Sequence, residues 1–478
     1  MFPKNTFNSY LIVLAMCFGA IGMHSCKQKP LTHMIVMTQN KGDVESRDYS
    51  KGDKLQYMSG SRIVAMNTTT PNEPLDELTS DFYSACSPKI SYDGNFMLFA
   101  AQKNQDDVWQ IWEMNLHNKK KKQITSSDHN CIDPDYLPGE RLVFSKEVKN
   151  KDPKVDTEFT LFSCNLDGSN LAQVTYDPST YFASTVLSEG RVIAIGKELW
   201  PEEKPANFMI MRPDGTKKEL FYQMEQDHYI TSGATEMNNG RILFVEANSN
   251  NQKDLISLSY NRPLHSEENL TSEIKGDFHA ISPYHDNKVL SSYRPENALH
   301  FALYEFDVES RELGRPIYED GENNILEAVF VQKKQRPRKL PSEVDLNVKT
   351  ALLVCQDINF QYSQPTDSTI PAFKASKMEV LGIDSTMAVF KTEKDGSFYI
   401  KIQADTPFRL QTLDDNNNVV KGPSSWMYLR PNERRGCIGC HENRELVPGN
   451  VQPLAVTKEP IPVPTPKQMD APKRELKM

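Results

Sequence analysis

Gly94-Asn95-Phe96-Met97-Leu98-Phe99 is a turn glycine followed by a short apolar strand, and this pattern recurs along much of the chain. The recurrences begin at Gly139, Gly190, Gly240 and, in a weaker copy, Asn287, at intervals of 45, 51, 50 and 47 residues. Repeats with this period and several short strands each are typical of β-propeller blades. The sequence therefore predicts a β-propeller.

Each copy continues in the same order, with a polar loop, an apolar strand, a turn and a last strand. In one copy residues 208–211 lead through Asp214-Gly215 to residues 219–221, and Asp-Gly is a strong hairpin signal. Segments 87–94 and 109–116 resemble the TolB-type, WD40-like propeller. This order of strands indicates four-stranded blades.

The number of blades follows from the two ends of the repeat region. Five full copies lie between about residues 84 and 320, and strand-like segments at 62–66 and 325–331 flank them. Joined into one composite blade, these two segments close the ring at six and leave no exposed sheet edge. We predict a six-bladed propeller over residues 55–332, with seven blades as the alternative, preceded by a linker over 27–54.

The first 26 residues have the layout of an export signal. Lys4 is the one charge among the first ten residues, residues 11–23 are almost wholly apolar, and Ser25-Cys26 follow. An apolar core of this length is too short to span a bilayer comfortably. Cys26 favours a lipoprotein, cleaved before the cysteine and acylated on its thiol, and a simple cleaved signal is the alternative. We expect an exported protein, periplasmic or a membrane-anchored lipoprotein of a Gram-negative bacterium.

The composition argues against a nucleic-acid-binding protein and against a disulfide-stabilised scaffold. The net charge of −9 with interspersed signs gives no basic face for nucleic acid. Besides the signal and a motif near the end of the chain, four cysteines remain, too few for a disulfide scaffold. Cys86 and Cys131 each precede a turn glycine by eight residues, so they occupy equivalent positions in adjacent blades. They are either buried thiols or a pair across the channel.

Beyond residue 331 the sequence changes character. A basic, proline-punctuated linker covers 333–343, and a second β-rich region follows over 344–450. Its strand-like segments lie at 350–354, 377–381, 387–391 and 397–402, which indicates a small β-sandwich, and a proline-rich tail covers 451–478. The fold class is therefore all-β, a six-bladed propeller followed by a small sandwich-like domain.

Cys437-Ile438-Gly439-Cys440-His441 is the C-x-x-C-H attachment signature of a c-type haem. The two thiols form thioethers to the haem vinyl groups, and the histidine faces the iron. The alternatives are a redox C-x-x-C pair or a zinc site. No second C-x-x-C or H-x-x-x-H cluster supplies further zinc ligands. We predict one haem c, with zinc at His441 as the alternative.

Four neighbours of this motif are candidates to contact the haem. Met427 or Tyr428 is placed to approach the far face of the iron, since Met raises the potential and Tyr suits an open site. Packing in the last strand is the alternative for both residues. Arg434 and Arg435 are candidates to pair with the haem propionates, and solvent-facing charge explains them equally well.

The region around the motif resembles a known family. The segments that carry the resemblance are Asp395-Gly396-Ser397-Phe398, Ala404-Asp405-Thr406-Pro407, Gln411-Thr412-Leu413-Asp414, residues 425–433 and residues 437–442. They are similar to the middle domain of the hydrazine synthase alpha subunit family, which also carries a six-bladed propeller before this domain.

The resemblance implies that Cys437 and Cys440 hold a haem and that His441 binds its iron or a nearby zinc. In that family a tyrosine just after the motif is thought to bind the iron, but residues 442–446 contain none. A second C-x-x-C-H is also missing from this sequence. We therefore do not expect this chain to make hydrazine.

The sequence supports two functional hypotheses. The first is an exported cytochrome-like protein whose single haem serves electron transfer or redox chemistry, with an unidentified redox partner protein or small-molecule substrate. Whether it is an enzyme stays open, and a haem-dependent oxidoreductase is the candidate activity. The second is a propeller-based binding or scaffold lipoprotein, anchored at Cys26, in which the C-x-x-C-H motif is structural or binds zinc.

Overall fold

The structure is a computed structural model that describes residues 33–42, 59–149, 157–225, 227–360, 374–439 and 451–464. These residues form β-strands joined by turns, with two short 3-10 helices, Pro263–His265 and Leu454–Thr457. The described part of the chain contains no helix with the length and apolarity needed to cross a lipid bilayer.

Six antiparallel sheets form the blades of a propeller, and the first strand of each faces a central channel. Blade 1 contains Asn324–Phe330, Met34–Asn40, Arg62–Asn67 and Asp76–Glu77. Blade 2 contains Ser84–Ile90, Phe96–Gln102, Gln110–Asn115 and Lys121–Gln123. Blade 3 contains Cys131–Leu137, Arg141–Lys149, Thr157–Asn165 and Ala172–Gln173.

The remaining blades follow in chain order. Blade 4 contains Ser179–Val186, Val192–Glu198, Asn207–Met211 and Glu219–Tyr222. Blade 5 has a first strand in two pieces, Tyr229–Ile230 and Thr235–Glu236, followed by Arg241–Ala247, Lys253–Ser259 and Glu268–Asn269. Blade 6 contains Gly276–Pro283, Lys288–Pro295, Ala302–Asp307 and Glu312–Tyr318. The six-bladed fold predicted from the glycine period is confirmed.

One strand of the propeller was not predicted. Met34–Asn40 lies in the supposed linker 27–54, but it pairs with both Asn324–Phe330 and Arg62–Asn67. It therefore fastens the end of the propeller to its beginning. The strand begins with four apolar residues, ends in Thr38-Gln39-Asn40 and has no preceding turn glycine, because one of its partners comes from the far end of the propeller rather than from a local hairpin.

The linker after the propeller is held against the blades. The backbone N–H of Lys334 donates to Tyr92 O (2.8 Å), and that of Arg338 donates to Ser188 O (3.0 Å). The turn glycine of blade 4 explains this close approach, since Gly190 has φ +99° and a Cβ there would lie 2.2 Å from Arg338 O. The predicted linker 333–343 thus forms a strap, a segment that lies across the hairpin turns of blades 2 and 4.

The second domain is a sandwich of two four-stranded sheets. The motif sheet has the strand order Arg434–Cys437, Thr350–Cys355, Phe398–Gln403 and Ile461–Pro462. The opposing sheet has the order Thr386–Lys391, Lys377–Leu381, Arg409–Leu413 and Val419–Lys421. Apolar side chains from both sheets, including Leu353, Met378 and Ile400, form the core between them.

The domain extends further than the predicted boundary at residue 450. Ile461–Pro462 runs parallel to Phe398–Gln403 in the motif sheet, and Ala455 N donates to the buried Ser397 Oγ (3.0 Å). This part of the predicted proline-rich tail belongs to the sandwich. Proline is tolerated here because the strand is at the edge of the sheet, where a missing N–H breaks no ladder.

Candidate functional site

The first cysteine of the C-x-x-C-H motif ends an edge strand of the motif sheet. Arg434–Cys437 runs parallel to Thr350–Cys355, with Leu352 opposite Arg434 and Cys355 opposite Cys437. The pairing continues beyond the strand, since Gln356 N donates to Cys437 O (3.0 Å) and Asp357 N to Ile438 O (3.1 Å). The backbone that carries the first thiol is therefore fixed, while Cys440 and His441 lie outside the described residues.

A turn after Cys355 supports the motif from the side. Ile358 N donates to Gly396 O (3.0 Å), and the side-chain amide of Asn359 both donates to Ala375 O and accepts from Ala375 N. A Cβ on Gly396 would lie 2.0 Å from Asp357 Oδ1, so this position in the Asp-Gly-Ser-Phe run requires glycine.

The residues around Cys437 fit a covalently attached haem. Cys437 is half-buried at the sheet edge and packs against the border of the sandwich core. A Cβ on Gly439 would lie 2.8 Å from Phe360 O, which places the motif directly against Phe360, whose side chain is 44% exposed. An exposed aromatic ring beside Gly439 of the motif suits a large apolar ring system. Cys437 and Cys440 would hold the haem, and His441 would bind its iron.

The two candidate ligands for the far face of the iron take part in packing. The Tyr428 ring is buried against the propeller, and its hydroxyl donates to Val174 O (3.2 Å). Met427 exchanges two backbone hydrogen bonds with Phe408 and packs against the sandwich core. Both residues therefore make the packing contacts that the sequence analysis gave as the alternative to iron ligation.

The two arginines before the motif differ in their surroundings. The Arg435 guanidinium donates to Lys218 O, in the last hairpin of blade 4. The Arg434 side chain is exposed, and its backbone oxygen accepts from Lys217 Nζ. Arg434 is therefore the one of the two whose side chain is open to solvent near Cys437.

A buried ion pair of the propeller contacts the second domain just before the motif. Lys218 Nζ lies 2.6 Å from Asp177 Oδ2, and the two side chains are 5% and 0% exposed. The same ammonium donates to Trp426 O (3.0 Å) in the second domain. Burial, followed by the charge of Asp177, raises the pKa of the neighbouring Tyr181 hydroxyl well above its usual value. This pair gave no signal in the sequence because its members are far apart along the chain.

The rest of this interface also comes from the segment preceding the motif. Trp426 N donates to Glu198 Oε1 (3.0 Å), and its indole N–H donates to Trp200 O (2.5 Å). The buried Glu433 carboxylate accepts from Lys217 N and Arg430 N, each at 2.9 Å. Blade 4 therefore fixes the chain on the N-terminal side of Cys437.

The propeller channel contains a separate cavity of about 860 Å³. All six blades and the linker line this cavity. Around it, carboxylates of one blade accept hydrogen bonds from the backbone of the next blade. Ser87 N donates to Glu327 (2.8 Å), and Ala183 N donates to Asp133 (3.0 Å). Burial, with nearby Lys89, lowers the pKa of the linker residue Lys334, which also lines the cavity.

The propeller cysteines are buried thiols. Cys86 and Cys131 are both buried in the core between blades, and burial raises the pKa of Cys131 to about 11. Within the described ranges, no three His, Cys, Asp or Glu side chains are grouped as a metal site. Cys26, the predicted lipidation site, lies outside those ranges.

The fold and the site define a class of protein, a six-bladed β-propeller followed by a β-sandwich that carries C-x-x-C-H. Residues 347–442 match the family described as the hydrazine synthase alpha subunit middle domain. The second domain is thus similar to the middle domain of the hydrazine synthase alpha subunit.

Individual proteins are similar to this chain in sequence or in fold. Hydrazine synthase subunit alpha of Kuenenia stuttgartiensis is 22% identical over 525 residues, which cover 82% of this chain. The chain spans 64% of the length of that relative. The solved structure of Kuenenia stuttgartiensis hydrazine synthase has a TM-score of 0.77 at 19% identity, over 89% of this chain and 71% of that one. TolB from Acinetobacter baumannii has a TM-score of 0.45 at 12% identity, over 63% and 66% of the two chains.

One residue of interest was missed at the level of sequence. The sequence pattern assigns no role to Cys355, yet this residue lies opposite Cys437 in the motif sheet. No sequence signal could place it there, because 82 residues separate the two positions and parallel pairing leaves no local turn signature.

Proposed function

We propose that this chain is an exported c-type cytochrome-like protein with one covalently bound haem. Cys437 and Cys440 form the thioethers, and His441 is an axial ligand of the iron. The bound haem supplies one-electron chemistry, used for electron transfer or for a redox reaction on a small molecule. The other participant is a redox partner protein or that small-molecule substrate.

The observation that carries this proposal is the position of Cys437. It ends an edge strand whose backbone is hydrogen-bonded through Ile438, so the cysteine is held on a rigid element at the edge of the sheet. Phe360, exposed beside Gly439, offers apolar surface for one face of a porphyrin. Arg434 is exposed three residues before Cys437 but on the opposite face of the strand, so its guanidinium would meet a propionate only around the edge of the sheet.

Export and anchoring are part of the proposal. The basis is the amino-terminal sequence, in which a short apolar core precedes Cys26. A thiol acylated at this position would tether the protein to a membrane. Nitrogen coupling to hydrazine is not included, because residues 442–446 lack the tyrosine that the resemblance calls for.

Haem attachment can be tested on the full chain. The protein is expressed with its own signal in a host that matures c-type cytochromes, and denaturing gels are stained for haem. We expect a haem-positive band and a pyridine haemochrome spectrum of the c type. A six-coordinate, low-spin spectrum of the native protein would indicate an electron carrier, and a high-spin spectrum would indicate a site open to substrate. Folded protein without covalent haem would contradict the proposal.

The cavity in the propeller favours a second candidate, a binding or scaffold lipoprotein. A space of about 860 Å³ lined by all six blades is large enough for a small ligand. In this case the motif would be structural or would bind zinc through its thiols and His441. Zinc in stoichiometric amount in purified haem-free protein, lost in Cys437→Ser, would support this candidate over the cytochrome.

A further inference from the structure

Cys355 and Cys437 are placed at the separation that a disulfide requires. They are direct register partners on adjacent parallel strands of the motif sheet. Neighbouring strands lie about 4.8 Å apart, and the Cα atoms of disulfide-bonded cysteines lie about 4.4–6.8 Å apart. No movement of the sheet is needed to bring the two residues within this range.

Both side chains lie on the same face of the sheet. Along Thr350–Cys355 the residues alternate between half-buried and buried, and Cys355 is on the buried face with Ala351 and Leu353. Cys355 is 2% exposed, and Cys437 packs against the same hydrophobic core. Register partners on neighbouring strands point to the same side, so the two sulfurs share this face.

The two cysteines differ in access to solvent, which sets an order of reaction. Cys437 is half-buried and ends a four-residue edge strand, whereas Cys355 is enclosed by the core. A reagent from solvent therefore meets Cys437 first. Because the edge strand ends there, Cys437 can also adjust its side chain without breaking a ladder on its outer side.

We propose that Cys355 and Cys437 form a disulfide in the haem-free protein and that this bond blocks thioether formation at Cys437. The oxidant is a disulfide donor, either a thiol-disulfide oxidoreductase or oxidised glutathione. The Cys437 thiolate attacks a donor sulfur and forms a mixed disulfide, and the Cys355 thiolate then displaces the second donor thiolate. Two protein thiols are oxidised, two donor sulfurs are reduced to thiols, and the two protons released pass to the donor.

The blocking step rests on the proposed function, whereas the disulfide itself does not. Thioether formation needs the sulfur of Cys437 as a thiol, so a bond to Cys355 removes one of the two attachment points of the haem. Cys355 is thereby a control point on haem attachment, which would then proceed only after reduction of this bond.

The disulfide is tested in haem-free full-length protein from a host without cytochrome c maturation. The Cys440→Ser variant prevents the competing bond within the motif. After equilibration with oxidised and reduced glutathione, thiols are alkylated and the protein is digested with trypsin without reduction. Cleavage after Lys349, Lys374, Arg435 and Arg444 leaves the two cysteines in separate peptides, residues 350–374 and 436–444.

We expect these two peptides to be joined in most molecules when oxidised glutathione is in excess. The linkage should be lost in Cys355→Ser and kept in Cys164→Ser, which changes a buried cysteine of blade 3. Failure to detect the joined peptides at every glutathione ratio would overturn the disulfide.

The blocking step is tested by haem attachment in a maturation-competent, oxidising host. Cys355→Ser should raise the haem-bearing fraction at least twofold over the natural sequence, and added dithiothreitol should bring the natural sequence to the same level. Equal fractions in both proteins without reductant would overturn the blocking step. Joined peptides together with no haem in either protein, even with reductant, would support the disulfide and defeat the cytochrome proposal.

Discussion

Lys218→Met removes the cation of a buried ion pair within the propeller, together with its hydrogen bond to Trp426 O of the second domain. Lys218 Nζ and Asp177 Oδ2 are 2.6 Å apart, and both side chains are almost fully buried. Removing one partner of such a pair costs about 3–5 kcal/mol, since the other charge stays buried without its counter-ion. Asp177 keeps hydroxyl donors from Ser179 (2.8 Å) and Tyr181 (2.9 Å), so we place the loss at the lower end, about 3 kcal/mol.

The assay is urea unfolding followed by tryptophan fluorescence and circular dichroism. Fluorescence reports on the interface, because Trp426 and Trp200 contact each other across it. Lys41→Met is the matched control, since its pair with Glu322 (2.9 Å) is 72% and 73% exposed and is worth less than about 1 kcal/mol. A loss of less than about 1 kcal/mol in Lys218→Met, equal to that of the control, would refute the reasoning. Adding Asp177→Asn should recover part of the loss.

Two further predictions concern the propeller. Gly190→Ala should lower the free energy of unfolding by about 2 kcal/mol more than Gly240→Ala, because both have positive φ but only the first Cβ would meet Arg338 O, at 2.2 Å. Urea midpoints measure the difference, and equal losses would contradict the strap on blade 4. Burial raises the pKa of Glu246 from 4.5 to about 7 despite His228, so the folded protein holds a proton that the unfolded chain has lost. Stability should therefore fall as the pH rises between these values, on the order of 2 kcal/mol, and Glu246→Gln should flatten that slope in urea titrations at several pH values. An unchanged slope in the variant would contradict this cause.

The propeller was predictable because its signal is local and repeated. A turn glycine such as Gly94 and the strand after it lie within one hairpin, so spacing alone reveals each blade. Met34–Asn40 was missed because its pairing with Asn324–Phe330 joins opposite ends of the propeller. Ile461–Pro462 was missed because proline-rich sequence indicates an extended tail, and only the exposed edge of the motif sheet makes it a strand.

The candidate site likewise has residues that the sequence predicts and residues that only the folded structure reveals. The residue types and spacing of the motif predict Cys437 as a haem attachment residue. The resemblance around it extends to the Asp-Gly-Ser-Phe turn at 395–398. The position of Cys355 beside it, and the burial of Tyr428 against the propeller, depend on contacts between distant segments. Pattern and periodicity carry no information about such contacts, which arise only when the two domains pack.

Intact mass spectrometry of the denatured, exported protein tests the central claim most directly. The mass of the natural sequence should exceed that of the polypeptide, after processing of the signal, by one haem. The excess should vanish in the Cys437→Ala, Cys440→Ala double variant and remain in Cys164→Ala. A mass without haem in the natural sequence, from protein shown to be folded by circular dichroism and matured in a competent host, would contradict the account.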